Sequence, residues 1–167
     1  MKGNGKLIKT LNGLLADELT ATNQYIVHME IAENKCYHNL HQFIRNRSIA
    51  EMKHAQTLIE RILFLKGKPG VSNLNNIQIG VEIHSQLEND LAFERRAVER
   101  YNNAINFARD IGDTTTLEML EGILREEAAH VNDIVARLDQ IKRMGVERFL
   151  SIQATNNHRI ERTKGTE

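Results

Sequence analysis

The sequence EMKH at residues 51–54 is followed 76 residues later by EAAH at residues 127–130. On a helix, residues i and i+3 project from the same side, so each tetrapeptide places a carboxylate beside an imidazole. Oxygen from Glu and nitrogen from His are ligands for iron, manganese and zinc. Composition alone gives about one Glu-x-x-His by chance, so a metal site requires that both pairs lie on buried helix faces.

The composition predicts a single all-α domain. The chain has 167 residues, of which 41% are hydrophobic, with one Pro and ten Gly. Good helix formers are abundant, and strand signals are nearly absent. Lys plus Arg and Asp plus Glu both number 22, so no net charge attracts nucleic acid or an acidic membrane surface. We therefore expect no nucleic-acid partner and no membrane partner.

The cysteine content and the N-terminal sequence favour a cytoplasmic protein. Cys36 is the only cysteine, which excludes an internal disulfide and suits a reducing compartment. Asp17 and Glu18 interrupt the apolar run that begins at Leu11, so a signal peptide is not expected. No apolar run approaches the roughly 20 residues that span a bilayer.

Apolar residues recur with a period near 3.6 in four long segments. This period predicts four helices, over about residues 6–33, 39–66, 82–110 and 114–144. Asp113 is a candidate N-cap of the fourth helix, with Thr114, Thr115 and Thr116 as alternatives, and Gly145 is expected to end it. The first two predicted helices are joined by a short link, so we expect them to form an antiparallel hairpin.

Two further segments follow the fourth helix. Residues 146–153 include Phe149, Leu150 and Ile152 and predict a short fifth helix, too apolar to stand alone in water, which we expect to dock in an assembly. Residues 155–167 are polar and aperiodic and predict a disordered tail, in which His158 is expected to be solvent-exposed.

The longest stretch without helical periodicity is residues 67–81, which contains Pro69, Gly70 and Gly80. Fully extended, 15 residues reach about 50 Å, whereas a 28-residue helix is about 42 Å long. This segment is therefore long enough to run the length of a bundle and start the third helix at the opposite end. The expected topology is a four-helix bundle with one long crossover.

Each long helix carries one acid within its apolar stripe, and two of the helices add a histidine. The six residues are Glu18, Glu51, His54, Glu94, Glu127 and His130. Several uncompensated buried charges would cost more than a marginally stable domain can absorb, whereas two divalent metals would neutralise four carboxylates. One Glu from each of two helices and Glu-x-x-His from each of the other two is the ligand pattern of ferritin-like di-iron proteins.

Residue patterns alone leave two alternatives to metal binding. The apolar stripe of the first helix could rotate and leave Glu18 at its solvated edge. Arg47 lies one turn before Glu51 and could form an ion pair with it.

The second helix also has another apolar face, through Ile49, Met52, Ile59 and Leu63, which predicts contact with a partner subunit.

Over about residues 1–153 the chain resembles the bacterioferritins. The resemblance rests on MKGNGKLIKTLNGLLADELTATNQY at residues 1–25, EMKHA from Glu51, ERILFLKGKP from Glu60, DLAFE ending at Glu94, and EEAAH ending at His130. It implies a ferritin-like four-helix bundle with a long B–C crossover loop, between the second and third helices, and a short fifth C-terminal helix. Residues 1–154 would form the ferritin-like di-iron domain.

The resemblance further implies iron storage and detoxification. Residues matching Glu18, Glu51, His54, Glu94, Glu127 and His130 form an intrasubunit ferroxidase centre in that family, with Glu51 and Glu127 bridging two irons and Tyr25 nearby. Fe(II) is oxidised there by O2 or H2O2, and the ferric product is stored as mineral in a 24-subunit shell. A homo-oligomer built from dimers, with or without a second subunit type, and a ferredoxin-type reductant are the implied partners.

Met52 matches the family's haem b ligand, which lies at a two-fold subunit interface. From physics alone a methionine on a helix face is usually a packing residue. Thr22 and Arg45 stand on the haem side where related chains usually have bulkier apolar or aromatic groups, although Arg45 could bind a propionate.

Asn46 and Ala50 replace the His and Asp of an inner-surface iron site, so we expect iron to reach the mineral through the di-iron centre or by another electron route.

Two other functions compete with this one. The chain could be a non-catalytic subunit that supplies Met52 and haem to a mixed shell, although such a subunit has no need of six intact ligands. A di-iron peroxidase of the rubrerythrin kind usually has a further iron site held by four cysteines, which one cysteine cannot build.

Four histidines have no matched role, and we expect them at the surface or at helix ends. They are His28, His38, His41 and His84.

Overall fold

A computed structural model of the chain describes residues 4–154. It contains five helices, α1 Gly5–Asn34, α2 His38–Phe64, α3 Ile83–Asp110, α4 Thr114–Met144 and α5 Val146–Gln153. No strand occurs between residues 4 and 154. The predicted all-α four-helix bundle with a short fifth helix is confirmed, and every predicted helix boundary lies within two residues of the observed one.

The apolar stripes of the four long helices form two clusters, one toward each end of the bundle. The first contains the early part of α1 and the later part of α2, for example Leu11 and Leu58. The second contains the later part of α1 and the early part of α2, for example Ala32 and Ile44. On each long helix, the acid identified in the sequence falls between the residues of these two clusters. The six predicted ligands therefore lie at the middle level of the bundle.

The segment between α2 and α3 runs along α1 in the same direction as α1. Asn12 bonds with Lys68 and Gly70 near the start of this segment, Asn75 donates to Asp17 farther along it, and His28 accepts a hydrogen bond from Gly80 near its end. The α1 residues involved, from position 12 to position 28, cover about 24 Å at 1.5 Å per residue. The predicted long crossover is thus confirmed, and it makes α3 antiparallel to α1.

Gly145 separates α4 from the short helix α5, and its φ of 82° lies in the left-handed region that glycine adopts without strain. Phe149 is buried against α2 and α4 of the same chain, and Asn39 donates to the carbonyl oxygen of Ile152 at 3.1 Å. The main apolar side chain of α5 therefore docks on its own bundle, whereas we expected it to dock in an assembly. Ile152 remains 47% exposed.

Some predictions concern parts of the chain that the structure does not describe. The predicted tail at residues 155–167, with His158, lies outside the described residues, as do residues 1–3. Within residues 4–154, no helix combines the length and the hydropathy that a bilayer crossing requires.

Asp113 caps α4 and joins it to α2. Its carboxylate accepts hydrogen bonds from the Thr116 backbone at 3.0 Å, from the Thr116 hydroxyl at 2.7 Å and from Arg61 at 2.7 Å. Partial burial alone would raise the pKa of Asp113, but the hydrogen bonds from Thr116 and Arg61 outweigh it and lower the pKa. The charged form is therefore more favoured in the folded state than in the unfolded chain.

Replacing Asp113 with Ala should lower the free energy of unfolding by about 1–2 kcal/mol at neutral pH, because the cap is lost. A group with a depressed folded-state pKa stabilises above its unfolded pKa, about 3.9 for Asp, and loses this effect as the pH falls through the folded-state value. The difference in the free energy of unfolding between Asp113→Ala and wild type should therefore become smaller in acid. Thermal unfolding across pH checks this, with Asp139→Ala, at an exposed position on the same helix, as the control. Equal midpoints for Asp113→Ala and wild type at neutral pH would contradict the capping role.

Candidate metal centre

The six residues singled out in the sequence converge at the middle of the bundle, and all six are buried. They form two groups whose potential ligand atoms lie within 4.8 Å of one another in each group. The first group is Glu18, Glu51, His54 and Glu127, and the second is Glu51, Glu94, Glu127 and His130. Glu51 and Glu127 belong to both groups, so they occupy the bridging positions of a two-metal arrangement.

Each histidine faces three carboxylates through its Nδ1 atom. His54 Nδ1 lies 2.9 Å from Glu127 Oε1, 3.3 Å from Glu51 Oε2 and 3.6 Å from Glu18 Oε2. His130 Nδ1 lies 3.0 Å from Glu51 Oε1, 3.3 Å from Glu127 Oε2 and 3.7 Å from Glu94 Oε2. The two bridging carboxylates thus present one oxygen to each histidine.

Several of these close atoms point into shared space and form no hydrogen bond. Glu51 Oε1, both carboxylate oxygens of Glu127 and His130 Nδ1 are buried and have no hydrogen-bond partner. Buried polar atoms are nearly always paired, so such a cluster indicates a missing partner. Ligands bound to a metal at about 2.0–2.2 Å lie roughly 3–4 Å apart, which matches the distances here. The donor set and its geometry therefore fit two metal ions.

Without a cation this concentration of acid is unfavourable. Burial is the largest cause that raises the pKa of the Glu18, Glu51 and Glu94 carboxyls, and neighbouring carboxylates add to it. Burial by itself opposes the charged form of His54, but the close approach of the Glu127, Glu18 and Glu51 carboxylates outweighs burial and raises the His54 pKa. Protons would therefore compete with any metal ion for the same atoms in this centre.

Both alternatives to a buried acid cluster are wrong. Glu18 is only 2% exposed, so it does not lie at a solvated edge of α1. Arg47 does not pair with Glu51, because its guanidinium donates to Asp133 of α4 at 3.1 Å. Side chains one turn apart on a helix can meet, but here the neighbouring helix offers Arg47 a carboxylate outside the cluster.

Two tyrosine hydroxyls reach the cluster. Tyr25 of α1 donates to Glu94 of α3, which agrees with its predicted place near the centre. Tyr101 of α3 donates to Glu18 of α1. Burial raises the pKa of both phenols well above the usual value, and adjacent carboxylates add to the effect. The sequence analysis did not single out Tyr101 as a residue of the centre.

Sequence reasoning also missed Glu126. Its Oε2 lies 3.1 Å from His54 Nε2, the nitrogen on the far side of the ring from the carboxylate cluster, and its side chain is 63% exposed. A carboxylate at the outer nitrogen of a ligating imidazole fixes the tautomer and the ring orientation. The doublet Glu126-Glu127 was the available signal, but a doublet on a helix does not show which acid faces inward.

The predicted surface position of His28 is wrong. Its side chain is fully buried, with Nδ1 3.0 Å from Asp90 and Nε2 accepting from the Gly80 backbone at 3.3 Å. Because Nε2 accepts, Nδ1 carries the proton and donates to Asp90. The crossover covers this histidine, which no local pattern revealed. The other three histidines without a matched role are at helix starts or exposed positions, as expected.

Met52 lies outside the carboxylate cluster and is 56% exposed, so in the isolated chain it is not a core packing residue. Leu63, on the same apolar face of α2, is also exposed, and Ile49 and Ile59 are only partly buried. No part of residues 4–154 therefore fully covers this face. Arg45 and Asn46 are exposed on α2 as well.

The bundle, the long crossover and the paired Glu/His groups define a protein of the ferritin-like class. A family profile described as a ferritin-like domain matches residues 8–144. A bacterioferritin of Mycolicibacterium paratuberculosis is 34% identical over 89% of this chain and 94% of its own length. A bacterioferritin of Rhodobacter capsulatus is 35% identical over 92% and 96%, and one of Streptomyces coelicolor is 33% identical over 90% of each chain. The chain belongs to the bacterioferritin family.

Replacing Glu94 with Gln should stabilise the metal-free protein by about 1–4 kcal/mol, because a buried carboxylate without a cation is removed and the amide oxygen still accepts from Tyr25. The same change should reduce the stabilisation that a divalent metal gives the wild type to that of one metal position, because Glu94 belongs to only one of the two groups. Thermal unfolding with and without Zn²⁺ measures both effects. Glu88→Gln, exposed on the same helix, is the control. A metal-free Glu94→Gln protein that unfolds below wild type would contradict the unfavourable charge cluster.

Proposed function

We propose that this chain stores iron and is a ferroxidase, oxidising Fe(II) to Fe(III) with O2 or H2O2 at a di-iron centre inside each subunit. The supporting observation is the pair of buried Glu/His groups that share Glu51 and Glu127. Bacterioferritin is also the name of the relatives described above. The proposed ligands are Glu18, Glu51, His54, Glu94, Glu127 and His130, within a di-iron domain over residues 1–154.

The protein's part in the reaction is to hold two ferrous ions together. Two Fe(II) supply two electrons, which reduce H2O2 with two protons to two waters, or O2 with two protons to H2O2. The carboxylates compensate the charge of the ions, and Glu51 and Glu127 keep the two positions adjacent. Glu94 is held by the Tyr25 hydroxyl. The surrounding apolar clusters exclude bulk water from the cluster.

Glu127→Ala should reduce Fe(II) oxidation to the rate of the buffer, because the change removes one ligand from each metal position. Metal-free protein is mixed anaerobically with two Fe(II) per chain, and ferric absorbance is followed after O2 or H2O2 is added. Glu118→Ala, exposed on the same helix, should oxidise iron like the wild type. Oxidation no faster than buffer by both wild type and Glu127→Ala would contradict the ferroxidase and favour the alternative, a haem-bearing structural subunit of a mixed shell.

We further propose a cytoplasmic shell of 24 subunits built from dimers, which stores the ferric product as mineral. The uncovered apolar face of α2, with Met52 and Leu63 exposed, supports a subunit contact there. A shell of 24 chains of 19.1 kDa has a mass of about 460 kDa. A second subunit type in the shell and a ferredoxin-type reductant for releasing the iron belong to the same proposal.

Met52 is the proposed ligand of a haem b shared by two subunits at this contact. Its thioether is exposed in the isolated chain and lies on an apolar face, which suits an apolar macrocycle held between two copies. When bound, the haem would supply one-electron transfer. Arg45, also exposed on α2, offers a guanidinium for a propionate.

Met52→Leu should abolish stoichiometric haem binding, because Leu keeps the apolar volume but has no sulfur lone pair. Haem titration followed by visible absorption should saturate near one haem per two wild-type chains. Met29→Leu, on α1, provides a methionine control. Fe(II) oxidation by Met52→Leu should match the wild type, since Met52 is outside the carboxylate cluster. Wild-type haem binding by Met52→Leu would rule out this ligand.

A further inference from the structure

We propose that Tyr101 is a second positioning residue of the metal centre, which holds Glu18 at one metal position as Tyr25 holds Glu94 at the other. The inference rests on the proposed metal-binding function. It adds a residue that neither composition nor the two Glu-x-x-His motifs point to. It also assigns each tyrosine to a different one of the two metal positions.

The atoms of the two tyrosine contacts correspond one to one. Tyr101 donates to Oε1 of Glu18, and the other oxygen of that carboxylate, Oε2, lies 3.6 Å from His54 Nδ1. Tyr25 donates to Oε1 of Glu94, whose Oε2 lies 3.7 Å from His130 Nδ1. In both cases one carboxylate oxygen is held by a phenol and the other faces the centre.

The correspondence follows from a repeat of 76 residues in the chain. Adding 76 converts Glu18 to Glu94 and Tyr25 to Tyr101, just as it converts the first Glu-x-x-His to the second. The same offset relates buried apolar residues along both hairpins, namely Leu7 and Ile83, Leu11 and Leu87, Ala21 and Ala97, Ala32 and Ala108, Ile44 and Leu120, Leu58 and Ile134, and Leu65 and Ile141. The hairpin α1–α2 is therefore repeated as α3–α4, and Tyr101 occupies the position in the second hairpin that Tyr25 occupies in the first.

The two contacts cross between the hairpins in opposite directions. Tyr25 of α1 reaches a carboxylate of α3, and Tyr101 of α3 reaches a carboxylate of α1. This exchange requires α1 and α3 to be antiparallel, which the crossover ensures. Each of these two helices thus provides a ligand for one metal position and the tyrosine that positions the ligand of the other.

A held carboxylate differs chemically from a free one. An ionised Glu has two oxygens and can rotate to offer either or both to a metal. A phenol near neutral pH is a donor, since its usual pKa is near 10. By occupying Oε1 of Glu18, Tyr101 leaves Oε2 as the oxygen for the ion. Partners of metal ligands typically contribute about 10-fold to 100-fold to metal affinity.

The test compares wild type with Tyr101→Phe, Tyr25→Phe and Tyr37→Phe, titrating each metal-free protein with Co²⁺ and following its visible absorption. Wild type should bind two Co²⁺ per chain. Tyr101→Phe and Tyr25→Phe should each weaken one of the two binding steps by about 10-fold to 100-fold and leave the other unchanged. Tyr37→Phe lies outside the centre and should resemble wild type. In a His130→Ala background, which leaves the Glu18 position, Tyr101→Phe should weaken the remaining step and Tyr25→Phe should not.

A second measurement does not depend on removing Tyr101. The chain has three tyrosines and no tryptophan, so in Tyr25→Phe/Tyr37→Phe the tyrosine emission comes from Tyr101 alone. Binding of Zn²⁺ to Glu18 changes the hydrogen bond that the Tyr101 phenol makes, so the emission should change and saturate with the metal. In Tyr25→Phe/Tyr101→Phe the remaining Tyr37 should not respond.

The outcomes separate this inference from the proposed function. In one outcome, wild type binds two metals, Tyr101→Phe binds both with wild-type affinity and the Tyr101 emission does not change with Zn²⁺. In that case Tyr101 is a core residue only and the inference is wrong. Equal weakening of both steps by Tyr101→Phe, with a lower thermal midpoint of the metal-free protein, would also overturn it, because that is a general structural effect. If wild type binds no metal, the metal centre itself is wrong and the inference fails with it.

Discussion

The burial of four carboxylates and two imidazoles at the middle of the bundle is the constraint on which the rest of this structure depends. Charged groups with no cation are costly in an apolar interior, so the surrounding structure must hold them there. Two apolar clusters do so, one on each side of the acid layer. The unpaired oxygens of Glu51 and Glu127 show that the acids do not satisfy one another. A bound metal ion would compensate these buried charges, which is why the arrangement fits cations.

The crossover determines which helices share the acid layer. Because it runs the length of α1, the third helix starts at the far end of the bundle and lies antiparallel to the first. The crossover is held to α1 by buried polar side chains, among them Asp17, Gln24 and His28. Burial raises the pKa of Asp17 to about 6, although Arg100 opposes this effect at 2.5 Å. These polar contacts explain why a long segment without helical periodicity has a defined path.

The two halves of the chain are similar but not identical around the centre. Glu126 holds the outer nitrogen of His54. The position that corresponds to Glu126 in the first half is Ala50, and no hydrogen bond to the His130 ring is formed within residues 4–154. The His54 imidazole is therefore held at both nitrogens. The His130 imidazole has carboxylates only beside Nδ1, inside the centre. Ala50, which has no carboxylate, is the origin of this difference.

The sequence by itself determined the helices, the long crossover and the six residues of the acid cluster, and it narrowed the N-cap of α4 to Asp113 or one of the three threonines after it. These follow from local regularities, because helical periodicity assigns each side chain to a face and the Glu-x-x-His spacing pairs two side chains on one turn. Only the tertiary structure decided that Arg47 pairs with Asp133, that His28 is buried under the crossover, and that Tyr101 reaches Glu18. Each of these contacts joins separate elements, and it depends on how those elements are rotated and how closely they approach. Periodicity along one helix carries no information about either quantity.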